Sequence, residues 1–163
     1  MSADKVILPP EPATEPVVGF PTHGRVVGID HGTVRIGLAV CDAERRIASP
    51  LETYTQRGQP HDTAFWQKLV PKESVVGFVI GLPIHLSGEE SVQSEACRKF
   101  GAWLHTLTNR PVAFWDERFT SAAAEDFLLE AGLTNKKRKS RRDRVAAQLI
   151  LQAFLDAGCP AGG

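Results

Sequence analysis

Residues 28–40 read GIDHGTVRIGLAV, and this stretch sets the architecture of the chain. Two runs rich in apolar and β-branched residues, 25–30 and 35–41, flank a short polar segment and predict the two strands of a hairpin. Gly32 permits a tight turn between them, and Asp30 ends the first strand. The stretch therefore predicts an antiparallel strand pair that carries a carboxylate at the end of its first strand.

Downstream, strands and helices alternate. Residues 47–54 suit a third antiparallel strand, while apolar runs at 75–82 and 111–115 suit buried strands. Helical spacing of apolar residues or helix stop signals recur in four segments, 61–69, 89–107, 121–131 and 142–157. The predicted buried stripe of the second helix consists of Val92, Ala96, Phe100, Trp103 and Leu107. This order of elements predicts an α/β domain with a mixed sheet.

Composition excludes several classes of protein. The 163 residues are 42% hydrophobic, which suits one domain with a core of its own. Lysine plus arginine and aspartate plus glutamate number 19 each, so no net charge draws the chain to nucleic acid or to a membrane surface. No apolar stretch approaches the roughly 18 residues of a membrane span. Three cysteines without paired spacing predict buried thiols in a reducing cytosol.

The termini differ in composition from the segment between them. Residues 1–22 contain five prolines and no apolar periodicity, which predicts a disordered and dispensable extension. Gly158 follows the last helical segment as a stop signal, so residues 158–163 are predicted to be a frayed tail. The folded unit is accordingly predicted over residues 24–157.

Acidic residues recur where strands end or a helix is predicted to begin. Asp30 follows the first strand, and Asp116 and Glu117 follow the strand at 111–115. Side chains alternate along an extended segment, so at most one of that adjacent pair points into a site shared with Asp30. Asp143 begins the last predicted helix. Each acid also has a structural interpretation: a turn for Asp30, and helix capping for the others.

A basic segment surrounds Asp143. Residues 136–144 read KKRKSRRDR, in which seven of nine residues are basic and Asp143 is the only acid. Because the whole chain is neutral, this clustering favours an oriented contact with phosphates over a solvated loop, although a loop remains the alternative. The predicted nucleic-acid contacts are Lys136, Lys137, Arg138, Arg141, Arg142, Thr33 and Arg118.

Carboxylates at three such positions suit hard divalent cations. Mg²⁺ and Mn²⁺ prefer oxygen ligands and are held by few protein groups. Asp30, Glu117 and Asp143 are the predicted metal ligands, and Asp116 joins them in the predicted catalytic set. The sequence leaves open which of the adjacent acids, Asp116 or Glu117, binds the metal. A pair of such ions supports in-line phosphodiester hydrolysis without a nucleophilic side chain. The five histidines are scattered and indicate no competing triad.

Four segments in this order resemble the YqgF/RuvX family: GIDHGTVRIGLAV (28–40), VIGLPIHLSGEES (79–91), DERFTS (116–121) and DRVAAQLILQAFL (143–155). The resemblance implies an RNase H-like mixed five-stranded sheet of order 3-2-1-4-5, flanked by helices. It also implies a divalent metal, a bacterial cytosolic location, and cleavage of structured nucleic acid, chiefly the ends of precursor 16S ribosomal RNA.

Three other functions stay open at this point. One is cleavage of branched DNA as a Holliday junction resolvase. The second is an ATP-dependent enzyme, because actin-like ATPases also place an Asp-x-Gly-Thr turn between two strands; their two-domain architecture exceeds this length. The third is a non-catalytic module that binds nucleic acid or the ribosome through the basic segment. The sequence leaves the oligomeric state undetermined.

Overall fold

A computed structural model describes residues 20–85, 87–120 and 135–160. Five strands form one sheet: β1 (Arg25–His31), β2 (Arg35–Cys41), β3 (Ala48–Thr55), β4 (Val75–Leu82) and β5 (Val112–Asp116). Their spatial order is β3-β2-β1-β4-β5. The first three strands pair antiparallel, whereas β1, β4 and β5 run parallel. The predicted hairpin and the predicted 3-2-1-4-5 sheet are confirmed.

Three helices are described: α1 (His61–Glu73), α2 (Val92–Thr108) and α3 (Asn135–Asp156). A capping box begins α2, in which Ser91 and Ser94 bond each other's backbone N–H groups. Beyond the end of α3, Gly158 adopts a φ of +85°, which glycine tolerates without strain. Within the described residues, none of the helices has the length and apolar character needed to cross a membrane.

Side chains alternate along the strands, so they lie on the two opposite faces of the sheet. One face, formed by residues such as Ile29, Leu38 and Phe114, packs against α1 and α2. The opposite face, formed by residues such as Ala39 and Ala113, packs against α3. Both layers are apolar, so the sheet is buried on both sides, as its continuous apolar strands predict.

The last helix begins earlier than predicted. It starts at Asn135 instead of Arg142, so the part of the basic segment around Asp143 is helical and is not a loop that precedes the helix. Basic residues with long unbranched side chains form helices well, and this propensity extends the helix past its apolar periodicity. Asp143 consequently lies two turns inside α3, which removes the interpretation of Asp143 as a helix-start residue.

The buried stripe of α2 is also displaced from the prediction. Val92 is 85% exposed, while Ser94, Cys97, Gly101 and Leu104 are buried. A Cβ atom on Gly101 would lie 2.6 Å from Phe114, so the helix packs against the sheet through its smallest residue. The larger aromatic residues of α2 flank that contact, which the apolar pattern alone does not predict.

The predicted boundary of the N-terminal extension is wrong at its inner end. Phe20 is buried and its ring makes an edge-to-face contact with Phe154 of α3 at 5.6 Å. The Arg45 guanidinium donates hydrogen bonds to the carbonyl oxygens of Pro21 and Gly24. The packed unit therefore includes Phe20. The predicted helix at 121–131 and the rest of the extension lie outside the described residues.

Candidate acidic active site

Strand alternation places one acid from each of two strand ends on the α3 side of the sheet. Asp30 shares the face of β1 that carries Gly28, over which α3 packs. Glu117 directly follows β5. It lies two residues after Trp115, which packs on the α3 side, so alternation places it on that side too. Parallel β1, β4 and β5 end at the same edge of the sheet, where sites in such sheets usually form.

Glu117 reaches Asp30 by lying across the intervening strand. Two strand spacings, about 10 Å, separate β1 from β5, and β4 lies between them. A Cβ atom on Gly81 of β4 would lie 3.0 Å from the Oε2 atom of Glu117. The glycine thus leaves the space through which the glutamate extends toward Asp30.

A second glycine places Asp143. Gly37 pairs with Asp30 in the β1–β2 ladder, and a Cβ atom on it would lie 1.9 Å from the backbone oxygen of Asp143. Such close approach of α3 to β2 requires a residue without a side chain. The Nε atom of Arg35 donates a hydrogen bond to Oδ2 of Asp143 over 2.8 Å, and the Asp143 side chain is only 16% exposed. The carboxylate is therefore held beside Asp30.

The carboxylates of this cluster repel one another. Burial, reinforced by the charge of Asp143, raises the pKa of Asp30 to about 6. Burial raises the pKa of Glu117 to about 7, with further contributions from Asp30 and Asp116. Within the part of the chain that the structure describes, neither carboxylate has an ion-pair partner. A cation bound between them would relieve both the repulsion and the burial cost.

The neighbouring acid Asp116 faces elsewhere. Its carboxylate forms an ion pair with the Arg118 guanidinium at 2.5 Å and accepts the Arg118 backbone N–H at 2.9 Å. The structure thus separates the two adjacent acids, as alternation predicts. Glu117 lies with Asp30, and Asp116 starts a short 3-10 helix, Glu117–Phe119, and anchors Arg118.

The donor set fits a hard divalent ion. Asp30 and Glu117 offer part-buried carboxylate oxygens, and Oδ1 of Asp143 accepts no hydrogen bond from the described residues. Among those residues, no three histidine, cysteine, aspartate or glutamate side chains already converge at metal-binding geometry. Binding of one ion by all three carboxylates would therefore require their side-chain torsions to adjust. Oxygen-only ligation suits Mg²⁺ or Mn²⁺ better than a softer metal.

The predicted phosphate contacts lie at varied positions. Thr33 is exposed at the β1–β2 turn, and Arg142 is exposed on α3, adjacent to Asp143. Arg141 lies part-buried in the same helix, and Arg118 is engaged by Asp116. The side chains of Lys136, Lys137 and Arg138 lie outside the described residues.

Two kinds of site residue are absent from the predictions made on sequence alone. Gly37 leaves space for the backbone of Asp143, and Gly81 leaves space for the side chain of Glu117. Arg35 donates a hydrogen bond that holds Asp143 in place. The sequence does carry a signal for the glycines, because glycine inside a strand often marks close backbone approach. No comparable signal identifies Arg35, since its partner lies 108 residues away.

The family model of RuvX, described as Holliday junction resolvase, matches residues 24–157. The chain belongs to the RuvX family. The predicted resemblance is thereby confirmed, and the match includes every segment from which Asp30, Glu117 and Asp143 come.

Relatives in this family share a common name. A protein of Rhodopirellula baltica, named "Putative pre-16S rRNA nuclease", is 45% identical over 139 residues, which cover 85% of this chain and 80% of the relative. One of the same name from Rhodobacter capsulatus is 43% identical over 137 residues, covering 84% of this chain and 86% of the relative. Such identity over most of both lengths supports a shared architecture.

A solved structure shares the fold. RuvC of T. thermophilus, in complex with Holliday junction substrate, superimposes with a TM-score of 0.54 at 16% identity, covering 85% of this chain and 99% of RuvC. At that identity the likeness concerns the fold, which is RNase H-like as the resemblance implies. The roles of individual side chains depend on the geometry of this chain itself.

Proposed function

We propose that this RuvX-family chain is a metal-dependent endonuclease that hydrolyses phosphodiester bonds of structured nucleic acid. The observation that carries the proposal is the pair of part-buried carboxylates, Asp30 and Glu117, whose pKa values rise to about 6 and about 7 and which lack an ion-pair partner among the described residues. Asp143, held by Arg35, lies close enough to Asp30 for its charge to raise the Asp30 pKa. The nuclease names of the relatives support the same reaction class.

The residues of the cluster have distinct tasks in this proposal. Asp30, Glu117 and Asp143 hold Mg²⁺ or Mn²⁺, and Arg35 orients Asp143 through one oxygen so that the other is available. A divalent ion held there would supply a more acidic bound water and positive charge to stabilise an in-line displacement. Asp116 acts indirectly, because its ion pair orients Arg118 at the edge of the cluster.

We infer that the physiological substrate is precursor 16S ribosomal RNA, cleaved near its ends. The names of the relatives favour this substrate, and a role in ribosome biogenesis implies a cytoplasmic location and association with ribosomal particles. Cleavage of Holliday junctions is the second candidate, favoured by the description of the family. Both substrates are structured nucleic acids with branched or unpaired positions.

A cleavage panel tests the proposal. Wild-type protein with Mg²⁺ or Mn²⁺ is incubated with precursor 16S ribosomal RNA or with a four-way DNA junction. We expect metal-dependent cleavage, faster on the RNA, and its loss in Asp30→Asn with the fold retained by circular dichroism. Cleavage of neither substrate with either metal contradicts the nuclease assignment and leaves the non-catalytic binding module. Unchanged turnover in Asp30→Asn contradicts the site.

A salt titration tests the basic segment. If Lys137, Arg138, Arg141 and Arg142 contact phosphates, replacing all four with glutamine flattens the slope of log affinity against log salt by roughly 0.7 to 0.9 for each phosphate that is no longer neutralised. Binding of metal should survive. Replacement of Lys68 and Lys72, which lie in α1 on the other side of the sheet, serves as the control. An unchanged slope removes the segment from nucleic-acid binding.

A further inference from the structure

Phe119 differs from the other exposed apolar residues of the chain. It lies two residues beyond Glu117 and is 67% exposed. The other large exposed hydrophobic residues among those described are aliphatic: Val34, Ile47 and Val92. A single exposed hydrophobic residue is common on protein surfaces. The position of Phe119 beside the acidic cluster and the way it is supported distinguish it.

The ring of Phe119 is supported by its own segment. Its 3-10 helix closes with a hydrogen bond from the Thr120 N–H to the Glu117 carbonyl oxygen at 3.0 Å. The Trp115 ring contacts it edge-on, with centroids 6.0 Å apart and planes inclined by 68°. The Nε1 atom of Trp115 in turn donates to Oγ1 of Thr120 at 3.2 Å. A ring supported in this way loses little conformational entropy when a ligand stacks on it.

A cation accompanies the ring. The Arg118 guanidinium carbon lies 5.9 Å from the centroid of Phe119, and Nε and Nη2 of that guanidinium donate hydrogen bonds to the Asp116 carboxylate. Aromatic faces combined with arginine are how proteins bind unpaired nucleotides, because every base offers a π face and every linkage a phosphate. The chemistry at this edge therefore suits a nucleobase better than an aliphatic ligand.

The distance to the acidic cluster is also suitable. Two residues span at most about 7 Å of backbone, so Phe119 and the Glu117 carboxylate are within reach of adjacent nucleotides of one strand. A base within a duplex already stacks on its neighbours and has no free face. The occupant must then be a base that has left its stack.

We propose that Phe119 is a stacking platform for an unpaired nucleobase adjacent to the phosphate that is cleaved. This proposal rests on the proposed nuclease function and narrows its substrate class. The substrate carries at least one unpaired nucleotide at the cleavage position, and a continuous duplex is bound less well. Stacking of one base contributes affinity that is lost when the ring is removed, by about 5- to 150-fold in Kd.

A fluorescent base analogue tests the platform. A hairpin RNA carries 2-aminopurine in an unpaired overhang at the cleavage position, with Ca²⁺ replacing Mg²⁺ to slow cleavage. We expect the wild-type protein to quench the 2-aminopurine emission and Phe119→Trp to retain the quenching. Phe119→Ala should lose it and bind the overhang about 5- to 150-fold more weakly. Phe119→Leu is the matched control, because it keeps the apolar surface and removes the aromatic face.

Several results overturn the platform. One is equal quenching and equal Kd in wild type and Phe119→Ala. Another is that Phe119→Ala loses as much affinity for a blunt duplex as for the overhang RNA. Wild-type behaviour of Phe119→Leu shows that apolar surface alone suffices. A wild-type dimer that Phe119→Ala dissociates in analytical ultracentrifugation assigns the ring to self-association. If wild type neither binds nor cleaves any nucleic acid, the nuclease proposal fails; if it does both and Phe119→Ala matches it, only the platform fails.

Discussion

The two faces of the sheet use opposite means of packing. On the side of α1 and α2, large rings fill the layer, with Trp66 contacting both Phe78 and Phe100 edge-on. On the side of α3, glycines let the helix backbone approach the strands, most closely at Gly37. Burial of large apolar side chains stabilises the first layer, whereas the second leaves room for polar groups within the protein.

This difference explains where the acids lie. A sheet face covered by large side chains keeps charged groups at its periphery, since desolvating an unpaired charge is costly. On the α3 face, Gly81 and Gly37 give Glu117 and Asp143 access to the buried edge beside Asp30. Asp30 and Glu117 undergo the desolvation that raises their pKa values. We therefore expect mutations on the two faces to affect different properties.

The largest expected effect separates the two adjacent acids. Glu117→Gln should lower the rate of metal-dependent cleavage by about a thousandfold or more, because it removes charge that would otherwise stabilise the bound cation and, through it, the transition state. Asp116→Asn, which alters the acid that faces Arg118, should lower the rate by at most about tenfold and leave metal affinity unchanged. Single-turnover cleavage and calorimetric titration of Mn²⁺ measure both. Equal effects of the two variants contradict the assignment of Glu117.

The next prediction concerns the glycines. Gly37→Ala places a Cβ atom 1.9 Å from a backbone oxygen of α3, and no side chain can move to relieve the clash. We expect a loss of about 3 kcal/mol or more in the free energy of unfolding. Gly81→Ala meets the end of the flexible Ile150 side chain at 2.6 Å and Glu117 at 3.0 Å. It should cost less stability and yet weaken metal binding.

A mutation on the other face is the control for both glycine variants. Phe78→Leu should lower the free energy of unfolding by about 1 to 2 kcal/mol through the cavity it leaves and leave the affinity for Mn²⁺ unchanged. Urea unfolding and metal titration are measured on all three variants. A loss of metal affinity in Phe78→Leu would show that the two faces are not independent.

The third prediction is a pH dependence of the metal-free protein. Asp30 and Glu117 have pKa values raised above their ordinary ones, so their contribution to stability is complete below pH 4 and is lost as pH rises through about 6 and about 7. At about 1.4 kcal/mol per pKa unit, the rise of the Asp30 pKa to about 6 means that removing its charge should stabilise the protein at pH 8 by roughly 3 kcal/mol. In EDTA, the Tm of Asp30→Asn should then exceed that of wild type by roughly 6 to 12 °C.

The difference between the two proteins should vanish near pH 4, where both carboxylates are protonated in the wild type. Adding Mn²⁺ at pH 8 should reverse the order, because only the wild type retains the complete set of ligands. A wild-type protein that is as stable as Asp30→Asn at pH 8 in EDTA would show that neither burial nor repulsion penalises the ionised form of Asp30.

The fourth prediction concerns Arg35, whose hydrogen bond orients Asp143. Arg35→Gln should weaken Mn²⁺ binding by about tenfold or more, as loss of a group that supports a metal ligand usually does. Arg35→Lys should restore part of the affinity. Arg46→Gln, which removes an exposed ion pair of 3.9 Å, is the control and should change nothing. Calorimetric titration distinguishes these outcomes, and no change in Arg35→Gln means that Asp143 orients itself.

The smallest expected effect is at the N-terminus. Deleting residues 2–19 should change Tm by less than about 1 °C, because a proline-rich segment without apolar periodicity is expected to bury little surface. Phe20→Ala, in contrast, should cost about 3 kcal/mol, since the ring packs against α3. A thermal melt of both proteins checks the boundary between extension and core. A large loss of Tm on deletion places that boundary earlier in the chain.

Local sequence was sufficient for most of the elements. Apolar runs and turn residues predicted the five strands and their hairpin, because alternation and turn chemistry act over a few residues. The start of α3 was predicted too late, because its first residues are basic and polar. They favour a helix but show no apolar periodicity from which a helix can be predicted. The buried face of α2 differs from the predicted one because Gly101 packs against Phe114, and that contact depends on the facing strand.

The sequence by itself determined the sheet, the acids at its strand ends and the resemblance that implied the family. Only the tertiary structure decided that Glu117, and not Asp116, joins Asp30, and that Arg35 holds Asp143. Alternation shows that two adjacent side chains diverge, but not which of them meets a residue on a strand two positions away. That choice depends on strand order, register and the glycines that leave space between layers, all of which arise from contacts between distant parts of the chain.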